Sequence, residues 1–343
     1  MTQSQRTPGG HTTRGVEILG VGSAVPDRVL TNHDLEKLID TSDEWIVQRT
    51  GVRERRIVSE DDPTPAIDLS TEALTSALQD AGLEAADIDL LIVGTVTAGM
   101  SCPSTACRVA DRAGMVSTAA FDVSAACCGY IYGLNLAESL IASGRYERIA
   151  VIGVDILSRI VEYNERGRGT CILFGDAAGA IIVGPSDDPS KGCLTQKMYA
   201  DGRAWDLLYI PHHDTDHPEG TDITGKPVGK LQMKGREVFK FAVSRFSDIV
   251  GETLEQAGLG VEDVDMFIPH QSNLRIIEAA RRRFGIPHDQ IYVNIDRYGN
   301  SSAGSVGLCL DELWQAGRVK RGDRIMFVAF GGGMTWASSL WQL

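Results

Sequence analysis

The stretches AGLEAADIDLLI (81–92) and AGLGVEDVDMFI (257–268) repeat one pattern with the same internal spacing. A second pair of similar segments follows: SGR (143–145) stands before IAVIGVD, and AGR (316–318) stands before RIMFVAFG. Each copy predicts a helix that stops at a glycine and is followed by a buried apolar strand. A repeat of about 175 residues is far too long for a stacked-repeat protein. The sequence therefore predicts two α/β halves related by a pseudo-dyad.

A pseudo-dyad brings equivalent loops of the two halves to one place. The first half offers Cys127 there, and the second half offers His270 and Asn300. We predict four segments along the chain: a disordered tail at 1–14, an N-terminal half at 15–185, a connecting excursion at 186–229 and a C-terminal half at 230–343.

Hydrophobic periodicity and glycine or proline stops predict alternating helices and strands, which indicates an α/β fold. The predicted helices are 34–46, 68–81, 127–142, 237–257 and 274–284. The predicted strands are 15–24, 90–94, 119–124, 149–154, 178–183 and 324–330, the last of which ends in a glycine run.

The composition is that of an ordinary globular protein: 343 residues, of which 43% are hydrophobic and 23% charged. A net charge of −13 argues against non-specific binding to nucleic acid or to a membrane surface. No apolar run reaches the length of a membrane span, and the polar N-terminus lacks the apolar core of a signal peptide. Seven scattered cysteines without a CxxC pair suggest reduced thiols and a cytoplasmic location.

Cys127 is the candidate nucleophile, and it lies in FDVSAACCGY (121–130) between a predicted buried strand and an apolar helix. A cysteine at a helix N-terminus faces the positive end of the helix dipole and free N–H groups, which favour the thiolate. Its neighbours are small, so a substrate can approach the backbone. The alternative is a small buried residue without chemistry. Cys128 points about 100° away from Cys127, and we interpret it as a packing residue.

His270 and Asn300 are the candidates in the second half. His270 stands in FIPHQSN (267–273), at the end of a duplicated strand, where α/β sheets place their ligands. Asn273 is placed to cap the helix that follows. Asn300 lies in RYGNSSAG (297–304), where turn chemistry alone would explain it.

Five potential metal ligands cluster in one predicted loop. Their spacing matches no known site geometry, so we predict no metal site there. They are His212, His213, Asp214, Asp216 and His217.

Six segments together resemble the β-ketoacyl-acyl carrier protein synthase III family, whose members begin type II fatty-acid synthesis. The likeness extends from Gly15 to Leu343 and implies the thiolase fold, with two pseudo-duplicated α/β halves in a five-layer αβαβα arrangement, usually as a homodimer. The segments are TSDEWIVQRTGVRER (41–55), FDVSAACCGY (121–130), GRGTCILFGDAAGA (167–180), IPHQSNLRI (268–276), DRYGNSSAGSV (296–306) and FGGGMTWASSL (330–340).

The resemblance implies a role for each candidate. Cys127 would accept an acyl group from acyl-coenzyme A. His270 and Asn300 would complete a Cys-His-Asn triad and stabilise the enolate that forms when malonyl-acyl carrier protein loses CO₂. Backbone N–H groups of Cys127 and Gly332 would form the oxyanion hole. No cofactor is implied beyond the two substrates.

The resemblance also implies two binding surfaces. Trp45, Arg49 and Arg168 match positions that hold the coenzyme A nucleotide, and Asn273 matches a contact to pantetheine. The partner would be acyl carrier protein, a small acidic protein that needs a local basic patch on this acidic chain. The predicted docking residues are Lys240, Arg275, Arg281, Arg282 and Arg283.

Two positions depart from the family pattern. Cys128 stands where the family usually has a small residue, so a second and oxidisable thiol lies next to the nucleophile. Cys102 stands where close relatives often have phenylalanine, which limits the acyl pocket across the dimer interface. The smaller cysteine puts strict acetyl specificity in doubt and leaves room for longer or branched primers.

Two alternatives remain. A polyketide starter-unit synthase or an acyltransferase of the same family would share most of these motifs, although ester formation would not require His270 and Asn300. A catalytically silent subunit that binds carrier protein would be expected to lack Cys127.

Overall fold

The computed structural model describes residues 14–343. The predicted tail therefore lies outside the described residues except for Arg14, whose guanidinium is 2.8 Å from the Glu147 carboxylate. No helix in the described part of the chain is both long and apolar enough to cross a membrane.

The strands and helices are numbered in chain order. The strands between residues 14 and 343 are β1 (Gly15–Ala24), β2 (Val29–Thr31), β3 (Glu54–Arg56), β4 (Leu90–Gly94), β5 (Ala119–Val123), β6 (Ile149–Ile156), β7 (Asp176–Ser186), β8 (Gly192–Ala200), β9 (Leu208–Tyr209), β10 (Gln232–Met233), β11 (Met266–Pro269), β12 (Arg324–Gly331) and β13 (Thr335–Gln342). The helices in the same range are α1 (Asn32–Leu35), α2 (Asp43–Thr50), α3 (Pro65–Ala81), α4 (Thr105–Arg112), α5 (Gly129–Ala142), α6 (Arg168–Cys171), α7 (Gly235–Ala257), α8 (Leu274–Phe284), α9 (Ile295–Tyr298) and α10 (Gly304–Gln315).

The two main sheets have the same strand order, which confirms the internal duplication. The first runs β1-β7-β6-β4-β5, and the second runs β8-β13-β12-β11. In each sheet the two strands that follow the repeated motifs pair in parallel, β4 with β6 and β11 with β12. The remaining pairs correspond as well, since β6-β7-β1 and β12-β13-β8 are antiparallel. A parallel bridge from Phe267 to Ile291 occupies the place that β5 has in the first sheet.

The helices form three layers around these sheets. α5 and α10 contact both sheets and fill the space between them. α3 and α4 cover the outer face of the first sheet, and α7 with α8 covers that of the second. The five-layer αβαβα arrangement of the thiolase fold is therefore confirmed. The central layer packs closely, because a Cβ added to Gly94 on β4 would lie 2.5 Å from the backbone of Gly129 at the start of α5.

Several predicted elements need correction. The helix predicted at 34–46 is two short helices, because Thr31 caps α1 and Ser42 caps α2. The helix predicted at 127–142 begins only at Gly129, after a single 3-10 turn. The second sheet takes its edge strand β8 from 186–229, a segment predicted to be an irregular excursion.

Two strand predictions are also wrong in part. The strand at 324–330 is not the last, since the glycine run after it turns the chain back into β13. β5 was expected to be buried, but it lies at the sheet edge beside β4, and its Phe121 is 39% exposed. A strand that is paired on one side leaves its other edge open to solvent or to another chain.

Candidate active site

Cys127 lies between the end of β5 and the start of α5, in the 3-10 turn Ala126–Cys128. The residue before it, Ala126, has φ of +47°, a left-handed conformation that non-glycine residues rarely adopt. The thiol is buried, and burial raises the pKa of Cys127 to about 12, whereas a hydrogen bond from Ser302 acts in the opposite direction. The helix N-terminus was expected to favour the thiolate. In the folded chain the loss of hydration outweighs that effect, so the resting group is a thiol.

Cys128 packs in the core between the two sheets. It is fully buried beside Tyr130 and Ile131. Burial raises the pKa of its thiol well above the usual range. The interpretation of Cys128 as a packing residue is confirmed.

His270 follows β11 and is buried. Its backbone N–H donates to Val328 O at 2.7 Å, and its Nδ1 lies 2.7 Å from Ser305 Oγ. The ring and that of Phe330 pack in a T-shaped arrangement, with 5.7 Å between their centroids. Burial lowers the pKa of His270 to about 3, so the imidazole is neutral at physiological pH. Because Nδ1 is engaged by Ser305, Nε2 is the ring nitrogen available to a ligand.

Asn300 is held by its backbone and by its own side-chain oxygen. Its N–H donates to Leu173 O at 2.8 Å, and its carbonyl accepts from Gly175 N at 3.0 Å. The side-chain Oδ1 accepts from Ser302 N at 2.9 Å. This bond sets the orientation of the amide, since the oxygen is used within the turn and the NH₂ group is left for a ligand.

Cys127, His270 and Asn300 border one cavity of about 650 Å³. The two halves of the chain therefore bring the three predicted residues together around one space. Cys127 also borders a second cavity of about 360 Å³. The walls of this second cavity are mainly apolar and include Val96, Leu157, Ile160, Phe174, Leu208 and Leu231. Phe174 and Leu208 border both cavities, so the sulfur lies where the two spaces adjoin.

The glycine run after β12 lies against the nucleophile. A Cβ on Gly331 would be 2.7 Å from Cys127 N, so only glycine fits there. Gly332 borders the smaller cavity together with Cys127. The predicted oxyanion residues Cys127 and Gly332 therefore share one cavity, and the neighbouring Gly331 contacts the backbone of Cys127.

Of the residues predicted to hold coenzyme A, Trp45, Arg49 and Asn273 border the larger cavity, and Arg168 packs on Trp45. The guanidinium of Arg168 lies 4.5 Å from the centroid of the Trp45 ring, and that of Arg49 lies 5.4 Å from it. Asn273 donates from its Nδ2 to Arg49 O at 3.1 Å, and its Oδ1 caps α8 by accepting from Arg275 N at 2.9 Å. The predicted capping function of Asn273 is confirmed.

The predicted docking residues divide into three groups. Lys240 and Arg275 are exposed and border the larger cavity, as does Arg236, one helical turn before Lys240, which sequence reasoning missed. Arg282 and Arg283 are exposed further along α8. Arg281 is a correction: its side chain is only 16% exposed, and its Nε donates to both oxygens of Glu278 at 3.0 Å.

Cys102, predicted to limit the acyl pocket across a dimer interface, is exposed, and within residues 14–343 it borders neither cavity of its own chain. Leu208 and Ser302 also border the site but were not predicted from sequence. Leu208 lies in the irregular segment 186–229, where no hydrophobic periodicity indicated a buried residue. Ser302 lies in the NSSAG turn, where three polar residues in a row left no means to choose among them.

The histidine-rich loop has a structural explanation. The Asp216 carboxylate accepts the backbone N–H groups of His212 and His213, each at 2.8 Å. His217 Nδ1 lies 3.0 Å from the Tyr209 hydroxyl. Among the described residues no group of ligating side chains is arranged for a metal ion.

Comparison with known proteins places these features in one family context. The family model described as 3-oxoacyl-[acyl-carrier-protein] synthase III matches residues 121–202, and the model of its C-terminal part matches residues 254–343. A β-ketoacyl-[acyl-carrier-protein] synthase III of Caldanaerobacter subterraneus is 48% identical over 94% of this chain and 96% of its own length.

Solved structures are similar as well. The 3-oxoacyl-[acyl-carrier-protein] synthase III of Aquifex aeolicus superposes with a TM-score of 0.87 and 43% identity, over 96% of this chain and 100% of that one. A priming β-ketosynthase of a polyketide biosynthetic pathway superposes with a TM-score of 0.86 and 34% identity, over 96% of this chain and 97% of that one.

Proposed function

The chain belongs to the β-ketoacyl-[acyl-carrier-protein] synthase III family, and on that premise we propose that Cys127, His270 and Asn300 carry out its reaction. The protein is an acyltransferase and an initiating condensing enzyme. The observation that supports this assignment of residues is their meeting around one cavity of about 650 Å³. That cavity leads from a stacked tryptophan and arginine pair to a buried thiol.

In the first half-reaction the Cys127 sulfur attacks the thioester carbon of acyl-coenzyme A. The tetrahedral oxyanion is held by the N–H groups of Cys127 and Gly332. The bond to the coenzyme A sulfur then breaks, and that sulfur takes up the proton that Cys127 has lost. The acyl chain enters the smaller apolar cavity, whose volume of about 360 Å³ supports primers longer or more branched than acetyl.

In the second half-reaction malonyl-acyl carrier protein enters by the larger cavity and loses CO₂. Negative charge then develops on its thioester oxygen. His270 and Asn300 stabilise this enolate as neutral donors, through Nε2–H and the side-chain NH₂. A neutral imidazole suits this task, because it donates a hydrogen bond and keeps its proton. The carbanion attacks the acyl-Cys127 carbonyl, which releases the 3-oxoacyl product and restores the thiol after one proton is taken up.

Two surfaces bring the substrates to this site. Trp45, Arg49 and Arg168 bind the nucleotide of coenzyme A by stacking and charge, and Asn273 contacts its pantetheine. The acidic carrier protein docks on exposed cations at the cavity mouth. Arg275 and Lys240 are supported by their position, and Arg236 joins them. Neither half-reaction requires a cofactor beyond these two substrates.

The assembly is a homodimer, and its location is the cytoplasm. The half-exposed edge strand β5 supports a dimer, because it ends beside Cys127 and leaves one side open to a second chain. All seven cysteines are free thiols in residues 14–343, which suits a reducing compartment.

A second candidate function is the priming of polyketide synthesis by the same chemistry. The similarity to the priming β-ketosynthase favours it, and the primer and the carrier protein would distinguish the two pathways. A silent carrier-binding subunit is disfavoured by the intact Cys127.

Intact-protein mass spectrometry tests the proposal. After incubation with acetyl-coenzyme A, one acyl group should appear on the wild-type chain and none on Cys127→Ala. Malonyl-acyl carrier protein should then discharge the acyl group and yield 3-oxoacyl-carrier protein. A wild-type chain that gains no acyl mass from any of a panel of acyl-coenzyme A primers would contradict the proposal.

A further inference from the structure

Ser302 is connected to every member of the proposed triad. Its Oγ lies 3.3 Å from Cys127 Sγ, and its N–H donates to Asn300 Oδ1 at 2.9 Å. Its carbonyl accepts from the Ser305 hydroxyl at 2.9 Å, and that hydroxyl lies 2.7 Å from His270 Nδ1. Ser302 itself is only 2% exposed. Ser302 therefore influences both half-reactions, because its backbone contacts Asn300 and Ser305. Only its side chain touches a reacting atom, the sulfur of Cys127.

The contact between Ser302 and Cys127 is held by strained backbone on both sides. Ser302 has φ of +49°, and Ala126, which immediately precedes Cys127, has φ of +47°. Such conformations of non-glycine residues are energetically costly, and they cluster at functional sites. Ala126 and Ser302 belong to different halves of the chain, so a costly conformation lies next to one partner of the contact and at the other.

The thiol of Cys127 requires a hydrogen-bond donor if it is to react. Burial raises its pKa to about 12, and the nearby carboxylate of Asp155 raises it further. His270 does not supply a compensating positive charge, since burial lowers its pKa to about 3 and leaves it neutral. The Ser302 hydroxyl is within hydrogen-bonding reach of both Cys127 and Asp155, and its hydrogen bond lowers the pKa of the group that accepts it. The thiolate therefore depends on neutral donors at the sulfur.

Resting on the proposed function, we propose that Ser302 is a further catalytic residue whose hydroxyl donates a hydrogen bond to the Cys127 thiolate as it attacks acyl-coenzyme A. The sulfur forms a bond to the thioester carbon while the bond from that carbon to the coenzyme A sulfur breaks. The proton lost by Cys127 ends on the coenzyme A sulfur, and Ser302 keeps its own. Loss of CO₂ from malonyl-carrier protein does not require ionised Cys127, so that step is independent of the hydroxyl.

The decisive variant is Ser302→Ala, which removes the hydroxyl but keeps the N–H and carbonyl that hold Asn300 and Ser305. Hydrogen bonds to charged groups are strong, so acyl-enzyme formation from acetyl-coenzyme A should slow about ten- to a hundredfold. The rate is measured by intact mass in quenched single-turnover reactions. Alkylation of Cys127 by iodoacetamide should slow in the same proportion, because the two reactions share the thiolate. Release of CO₂ from malonyl-carrier protein by the preloaded variant should be unchanged.

Two further variants separate the hydroxyl from the backbone. Ser302→Gly removes the hydroxyl and also relieves the positive φ, and it should match Ser302→Ala. Ser301→Ala is the control, because Ser301 is the next residue, is 1% exposed and has an Oγ without a hydrogen-bond partner among the described residues. It should acylate and alkylate at the wild-type rate.

Wild-type acylation by Ser302→Ala would overturn the role of Ser302. A loss in Ser302→Ala that Ser302→Gly restores would also overturn it, because backbone strain would then be the cause. Equal losses of acylation and CO₂ release would mean that the turn had moved, again against the proposal. If the wild-type chain gains no acyl group, the proposed function fails and the role of Ser302 fails with it.

Discussion

His270 Nδ1 lies 2.7 Å from the hydroxyl of Ser305, and both side chains are buried where the end of β11 meets the start of α10. The hydroxyl has a second partner, the carbonyl of Ser302 at 2.9 Å. The hydroxyl has a single proton, so donation to the Ser302 carbonyl and donation to Nδ1 exclude each other. Only donation to Nδ1 leaves the imidazole proton on Nε2, the nitrogen available to substrate. The second half of the chain thus keeps a neutral imidazole away from solvent, and the rotation of the Ser305 hydroxyl sets whether its Nε2 donates or accepts.

The neutral state of His270 predicts an acid-sensitive contribution to stability. Burial lowers its pKa from 6.5 to about 3, so between these values the unfolded chain binds a proton that the folded chain does not. The contribution is complete above pH 6.5 and is lost as pH falls through this window, by up to about 1.4 kcal/mol per pH unit. Urea unfolding of His270→Ala should therefore show a shallower pH dependence than wild type. Equal slopes would mean that His270 is not buried in its neutral form.

The two half-reactions should be separable by mutation. Cys127→Ala should lose acylation completely. His270→Ala and Asn300→Ala should still form the acyl-enzyme but lose decarboxylation by roughly two or more orders of magnitude, as expected for an oxyanion donor. Intact mass follows the first step, and release of labelled CO₂ follows the second. Acylation of Cys127→Ala on Cys128 would contradict the division of roles.

Coenzyme A recognition should depend on the Trp45 ring. Arg168 lies 4.5 Å from its centroid, so base stacking and a cation–π contact converge on one indole. Such contacts contribute about 1–3 kcal/mol in stacking sites, so Trp45→Ala should raise KM for acetyl-coenzyme A about tenfold. KM for malonyl-carrier protein should change little. Trp205→Ala, a tryptophan that is 44% exposed elsewhere on the surface, should leave both constants unchanged.

Primer length should depend on the smaller cavity. Ile160→Phe adds volume to its wall, and overpacking costs about 1–3 kcal/mol, so four-carbon and longer primers should slow more than acetyl-coenzyme A. Cys102→Phe should have the same effect only if a second chain completes the wall, because Cys102 is exposed in its own chain. An unchanged ratio of rates in Cys102→Phe would remove that residue from the pocket.

Carrier-protein docking should depend on the cations at the cavity mouth. Reversing charge at Arg236 and Lys240, which are one turn apart on α7, should raise KM for malonyl-carrier protein several-fold, and the effect should fade above physiological salt. Arg282→Glu tests the far end of α8, where Glu278 is already 3.8 Å from the arginine. A smaller effect there would locate docking at the mouth. An equal effect would extend the docking surface along α8.

Much of the fold could be predicted from sequence, because the signals involved are local and repeated. The glycine stops at the ends of α3 and α7, each followed by an apolar strand, indicated the duplication that the two sheets display. Where the prediction was wrong, a short-range signal was absent or ambiguous. β8 lacks a helix before it, and α1 and α2 are separated by caps rather than by a proline or glycine.

Cys127 and His270 were accessible from sequence, since each stands at the end of a recognisable element, whereas Asn300 lies in a turn and was indicated by the family resemblance. The protonation states of Cys127 and His270 could not be predicted from sequence. The pKa of Cys127 and the neutrality of His270 depend on burial and neighbours contributed by distant parts of the chain. Hydration and hydrogen bonding are properties of the three-dimensional surroundings, and the order of residues does not encode them locally.

By itself the sequence determined the two-fold α/β plan and the chemical types that face the site, because periodicity, caps and glycine stops act over a few residues. Only the tertiary structure decided that Ser302, one of several similar polar residues in a turn, lies 3.3 Å from Cys127, which precedes it by 175 positions. That contact arises where two packed halves meet. Its geometry follows from how the central helices fill the space between the sheets, which no local pattern specifies.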